Sequence, residues 1–270
     1  MFGIDGGVKM SDAKFIQALK NGMINDLQSM PKSDLHNHAG RGGSIAYIEQ
    51  WAKTKIVPRT EHFNSLMEMN QWLNDNVKCH CPGHLGYLKR VEAAFAQART
   101  DNIAALALSF AIDEIDACGT IDEFIRIMTA LQVTFAPDTK FLPDLALGYV
   151  PSEQNRLDEI FNAGWFKGID ICNYSNVYSL NELKNICRKA QDSKLTLKAH
   201  IGEFGGAEDV MRYAEELELN QIQHGIAAAD SQQIMKWLAK HKIQLNVCPT
   251  SNIMLKLKFD SGPDKSGVCG

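Results

Sequence analysis

An α/β fold, a (β/α)₈ barrel of TIM type that counts about seven strands and lacks its eighth, is predicted by three observations. Short apolar β-type runs alternate with segments of helical spacing, which is the pattern of a parallel sheet wound with helices. No short repeat or low-complexity block interrupts the alternation, so residues 1–270 read as one domain. The residues with the richest chemistry stand at the carboxyl ends of several different runs, where barrels of this kind keep their reactive groups. A doubly wound nucleotide fold is the rival, but Gly40-Arg41-Gly42-Gly43 matches neither G-x-G-x-x-G nor the phosphate-loop pattern and reads as a flexible turn.

In chain order, residues 1–29 predict a helix, since Phe15, Leu19, Met23 and Leu27 recur at fours from a Ser11-Asp12 start that can cap it. Strands are expected at Asp34-Leu35-His36, Ile103 to Ile112, Leu142 to Val150, Gly168 to Ile171, Leu195 to His200, Ile222 to His224 and Ile243 to Val247. Helices are expected at Ile121 to Phe135, Leu180 to Gln191, Ala207 to Leu217 and Ser231 to His241, the last opened by Asp230 as N-cap. Met67, Met69 and Trp72 suit a helix that lies over the mouth. Residues 256–270 are polar, carry Gly and Pro and read as an irregular tail, which leaves a gap between the last strand and the first.

Composition narrows the function. A net charge of -4 gives no basic field for nucleic acid or an acidic membrane, so a small-molecule substrate is the better expectation. The apolar run Ile103 to Ile112 is far short of the ~18 residues that a membrane span requires. No secretory pattern is read at the start, and the seven cysteines are odd in number and scattered, so a reducing, cytoplasmic setting is expected. Oligomeric state is not legible.

His36 and His38 stand one residue apart where a short strand closes. Residues i and i+2 of a strand share a face, so both imidazoles can reach one metal ion. His200 ends a later run and can complete a three-histidine site, while Glu203, three residues on, can carry a proton rather than bind metal. His224 ends the next run and brings a fourth imidazole to the same rim.

Four motifs extend this pattern. Met30-Pro31-Lys32-Ser33-Asp34-Leu35-His36-Asn37-His38, His200-Ile201-Gly202-Glu203, Gln223-His224-Gly225 and Cys248-Pro249-Thr250-Ser251-Asn252 resemble, in order, the signatures of the adenosine deaminase family within the metal-dependent amidohydrolase superfamily. The resemblance runs from about Met30 to Leu255. It implies one zinc ion per chain held by His36, His38 and His200, Glu203 as proton donor to a purine ring, and His224 as the base that orients the attacking water. The implied reaction is hydrolytic deamination of adenosine or a related aminopurine to the 6-oxo product and ammonia. The alternatives are another hydrolase of the superfamily or a catalytically impaired barrel. A cytidine-type deaminase site is excluded, because its His-x-Glu and Pro-Cys-x-x-Cys are absent from the sequence.

The chain also departs from the family. The paired aspartates that end the family's eighth strand, one of them a zinc ligand, have no counterpart, so a shortened chain with weak zinc binding and slow or no turnover is the expectation. Asp260 or Asp264 could swing in as a surrogate ligand, at the entropic cost of ordering the tail. Where the family places an acid after the second histidine, Ala39-Gly40-Arg41 stands here, and an arginine favours an anionic group on the substrate. Asp170-Ile171-Cys172-Asn173-Tyr174 replaces a Gly-containing turn near the purine. Cys79-His80-Cys81-Pro82-Gly83-His84 groups soft ligands that could hold a second zinc, but without a matching second pair it reads as a loop over the mouth. His62 and His241 read as surface residues.

Overall fold

The computed structural model describes residues 12–173 and 175–255. Seven parallel strands lie side by side in chain order: β1 Lys32–Asp34, β2 Ile103–Phe110, β3 Lys140–Leu147, β4 Gly168–Ile171, β5 Thr196–Ile201, β6 Gln221–His224 and β7 Gln244–Asn246. The number is the one the sequence counts. β2 and β3 are buried over their last five residues and β4 throughout, as strands covered on both faces must be. Helices follow the strands and close over them, so Phe95, Leu108, Phe110, Ile115, Phe124 and Leu145 share one core from which solvent is excluded. Each such side chain contributes roughly 1.5–3 kcal/mol on burial.

The sheet curls until its two edges approach each other at the carboxyl-end mouth. Asn246, the last residue of β7, donates its amide to Leu35 O just past β1 at 3.4 Å, and to Gln223 Oε1 at 2.8 Å. Cys248 Sγ stands 3.1 Å from His36 Nδ1. Among the described residues β7 and β1 do not pair, so this is a curled, TIM-like sheet of seven strands. Below the mouth its interior holds a buried ion pair, Lys198 Nζ on Asp144 Oδ2 at 2.5 Å. No helix of the described residues is long and apolar enough to cross a membrane.

Several expectations are corrected. The amino-terminal helix is two, Asp12–Lys20 and Ile24–Ser29, because Gly22 turns through φ +63 between them; the expected cap at Ser11 lies outside the described residues. β1 stops at Asp34, whose carboxylate bonds the backbone N–H of His36 at 3.3 Å and the Asn37 amide at 2.8 Å and bends the chain. Parallel pairing then resumes at His38, opposite Ser109. β3 begins two residues early and ends at Leu147, where Gly148 turns away at φ +103. Ser231, not Asp230, caps Gln232–His241, its side chain accepting from Ile234 N at 3.3 Å. Residues 256–270, with Asp260 and Asp264, and also Tyr174, lie outside the described residues.

Candidate metal centre and active site

Bending after Asp34 turns both His36 and His38 into the mouth, and the curl of the sheet carries β5 and β6 round to meet them. The ring centroid of His36 lies 5.7 Å from His38, 4.6 Å from His200 and 4.7 Å from His224. β4 adds a carboxylate that the sequence reading had placed only in a substrate turn. One ligand atom each from His36, His38, Asp170 and His200 falls within 4.8 Å of the others. Asp170 is fully buried; its Oδ2 accepts from Ser109 Oγ at 2.6 Å, while Oδ1 has no hydrogen-bond partner and stands 3.3 Å from His200 Nε2.

Electrostatics suit a cation. Burial, then the nearness of His200, pushes His36 and His38 down to about 3, so both imidazoles keep a lone pair at neutral pH. Burial pushes Asp170 up, but His200, His36 and His38 outweigh it and hold the carboxylate well below the usual range. Imidazole nitrogens with one carboxylate oxygen are the donors that zinc accepts, and Asp170 Oδ1 is a buried oxygen in need of a partner, so the residues fit such an ion. The Cys248 thiol is pushed up to about 12, chiefly by burial, and so stays protonated beside His36 Nδ1. For Nε2 of His36 to be the ligand atom, the ring proton sits on Nδ1 and points at the Cys248 sulfur, a weak acceptor.

Glu203 and His224 form the second half of the site. Gly202 sits at φ +69 between His200 and Glu203, and a Cβ there would meet Val210 Cγ2 at 2.5 Å, so only glycine makes this turn. Glu203 Oε2 is 3.4 Å from His224 Nε2, and both side chains are buried. His224 itself adopts φ +66, which costs a residue with a Cβ about 1–2 kcal/mol and directs its ring inward from the end of β6. Burial and the neighbouring His200 and His36 hold it down to about 2. Asn252 Nδ2 lies 3.2 Å from His224 Nδ1; an amide N–H donated there leaves the ring proton on Nε2, facing Glu203.

The structure thus gathers all five residues singled out from sequence, and adds Asp170, Ser109, Cys248 and Asn252. Asp170 had one signal, a carboxylate inside the otherwise apolar run Gly168 to Ile171. The Cys79 to His84 group is not brought together as ligands. Cys79 donates to Asp75 O at 2.8 Å, Cys81 packs in a small core with Ile48, Ile56, Val77 and Ala93, and no metal cluster among the described residues includes them. His62 and His241 are exposed, each with Nδ1 on a backbone carbonyl.

Comparison with known proteins agrees with this geometry. The family profile "Adenosine deaminase" matches residues 168–259. A Treponema pallidum protein named provisionally as an adenosine/adenine deaminase is 25% identical over 232 residues, 84% of this chain and 78% of that protein. Over that segment the chain resembles the adenosine deaminase family. An amidohydrolase from Burkholderia ambifaria, solved with bound zinc, superposes at TM-score 0.67 with 16% identity, over 94% of this chain and 72% of that one. Arabidopsis ADAL, solved with GMP, superposes at TM-score 0.66 with 17% identity, over 86% of this chain and 75% of that one. These two share their fold with the chain described here.

Proposed function

We propose that this chain is a zinc-dependent aminohydrolase that replaces the amino group of adenosine or a related aminopurine by oxygen and releases ammonia. The observation that supports this most directly is the meeting of His36, His38, Asp170 and His200 within 4.8 Å, with the buried Glu203–His224 pair beside them. One zinc ion held by His36, His38, His200 and Asp170 would supply hydroxide near neutral pH by acidifying a water. Asp170 gives the cluster the carboxylate for which the sequence offers no eighth-strand aspartate.

The chain's own groups do the rest. As a C–O bond forms at the amino-bearing ring carbon, the adjacent ring nitrogen gains electron density and must take a proton; Glu203 supplies it. Such a donor is worth about 10²–10⁴-fold. His224, neutral and held through Nδ1, orients the attacking oxygen and stabilises the charge that builds on it. The C–N bond then breaks, the amine leaves as ammonia with the proton that the added hydroxyl gives up on becoming the carbonyl, and the proton lost by the attacking water restores Glu203. Burial of both side chains keeps bulk water from competing.

The test joins metal content to product. After dialysis against dilute chelator, plasma mass spectrometry is expected to find close to one zinc per chain, and a panel of aminopurines to release ammonia. Zinc retention with hydrolysis of amides or esters and no ammonia from any aminopurine would move the chain to another reaction of the superfamily.

A further inference from the structure

Beside the metal cluster the mouth opens into a cavity of about 590 Å³ that begins at His38 and runs out between the loop after β1 and the turns after β2 and β3. Four basic side chains line it. Arg156 is spent on Asp116 and Glu159. The other three, Arg41, Lys78 and Arg90, form no ion pair among the described residues, although Arg41 and Arg90 lie close enough to Lys78 to disfavour its charge. Lys78 is half-buried on the single turn Lys78–His80. Its ammonium is disfavoured by that burial and then by Arg41 and Arg90.

The loop that carries Arg41 is built to stay where it is. Arg90 donates Nε to Gly40 O at 3.0 Å and Nη1 to Cys81 O at 2.8 Å, which ties the loop to the helix Gly83–Thr100. A Cβ on Gly43 would meet the Ala93 Cβ at 2.7 Å, so the loop presses on that helix only because it has no side chain there. Arg41 Nη1 is steadied by Asn70 Oδ1 at 3.0 Å. The acids on the same cavity do not cancel this charge. Glu153 is engaged by the backbone N–H groups of Gly148 and Tyr149. Glu114 accepts from Ala111 N and is pushed up to about 7, chiefly by burial, so it carries only part of a charge at neutral pH. Asp113 is exposed.

Three cations held near one another, two of them half-buried, repel and lose hydration unless an anion sits among them. A phosphomonoester brings close to two negative charges and three acceptor oxygens, which suits three cations better than a single carboxylate does. The cavity is continuous with His38, so a ligand reacting at the metal cluster reaches this wall with its far end. We propose that the substrate is a purine nucleoside 5′-monophosphate, its amino-bearing ring at His200 and Glu203 and its phosphate against Arg41 and Lys78, with Arg90 fixing the loop and adding charge. This rests on the deaminase reading of the same site.

The zinc-loaded full chain is assayed with adenosine 5′-monophosphate and with adenosine, in the wild type, in the double variant Arg41→Gln/Lys78→Gln and in Arg41→Lys. The expected nucleotide-to-nucleoside ratio of kcat/KM is about 30 or more in the wild type, falls towards one in the double variant and is partly restored in Arg41→Lys. Equal turnover of both substrates by the wild type overturns the proposal and leaves the deaminase reading intact, even where inorganic phosphate binds. A nucleotide preference that survives the double substitution in a folded chain overturns the assignment to Arg41 and Lys78. If neither substrate yields ammonia, the deaminase reading falls, and calorimetry with inosine 5′-monophosphate against inosine decides the pocket. Nucleotide binding that the double variant loses supports it; binding equal to that of inosine overturns it.

Discussion

The mouth has two unlike walls. On one side, His36, His38, His200 and His224 are packed ring to ring around Asp170, three of them held neutral by burial, with Cys248, Ser109 and Asn252 occupying their outer atoms. On the other, Arg41, Lys78 and Arg90 line one cavity, with hydrogen bonds from the two arginines to backbone or amide oxygens. The first wall works by fixed position and lone pairs, so its parts fail all at once. The second works by charge at a distance, so it weakens by degrees and answers to salt. The largest effects are therefore expected on the first wall.

His200→Ala removes one of three imidazoles and is expected to abolish zinc occupancy and ammonia release together, as metal analysis and an ammonia assay will show. Glu203→Gln keeps the shape and is expected to retain zinc while activity falls by about 10²–10⁴-fold. Equal zinc loss in the two variants would exchange the roles given to ligand and acid. Cys248→Ala tests the outer atoms of the same wall. Without the thiol on His36 Nδ1 the ring is less firmly oriented, and zinc affinity measured by chelator competition is expected to drop about 10–100-fold. An unchanged affinity would mean that His36 is held by packing alone.

The first wall was largely legible in the sequence and the second was not. His36, His38, His200, Glu203 and His224 each stand at the end of an apolar run or a few residues past it, and a parallel sheet brings such ends to one rim whatever the detail of its helices. Asp170 escaped because a carboxylate within β4 gains meaning only when curling brings it to the histidines that follow β1. Lys78 and Arg90 escaped for another reason. The helix Gly83–Thr100 buries Tyr87, Val91, Ala94, Phe95 and Ala98 but also Glu92 and Ala93, so its apolar stripe is too broad to announce a helix. Without that helix, the loop of Arg41 has nothing to press against and the three cations have no common place. The break at Gly22 and the cap at Ser231 were misjudged by a residue or a turn, as local signals alone allow.

Salt separates the walls next. Raising ionic strength from about 0.05 to about 0.5 M shortens the screening length from roughly 14 to 4 Å, so the KM for the nucleotide is expected to rise several-fold while that for the nucleoside and the zinc content stay level. A nucleoside KM that rises in parallel would place the salt effect on the metal wall instead.

The smallest effect concerns Glu114, the acid on the basic wall whose proton burial holds near neutral pH against the pull of Arg41 and Arg90. Its folded pKa of about 7 lies above the ordinary 4.5, with burial the largest cause. The folded chain therefore binds this proton more tightly than the unfolded chain. The resulting stability is full below about pH 4.5, declines as pH rises from there to about 7, and is absent above. Glu114→Gln keeps an oxygen for Ala111 N–H and removes the titration. Denaturant unfolding is thus expected to show the variant no better than wild type at pH 5 and more stable by about 1 kcal/mol at pH 8, a modest figure because the side chain is only half-buried. An occupied phosphate site would draw on the same charges. A negative phosphate close to Glu114 raises its pKa further, so the pH 8 advantage of the variant is expected to widen when inosine 5′-monophosphate is present and not when inosine is. A gap that ignores both ligands would mean that Glu114 answers to its own burial and not to the cavity beside it.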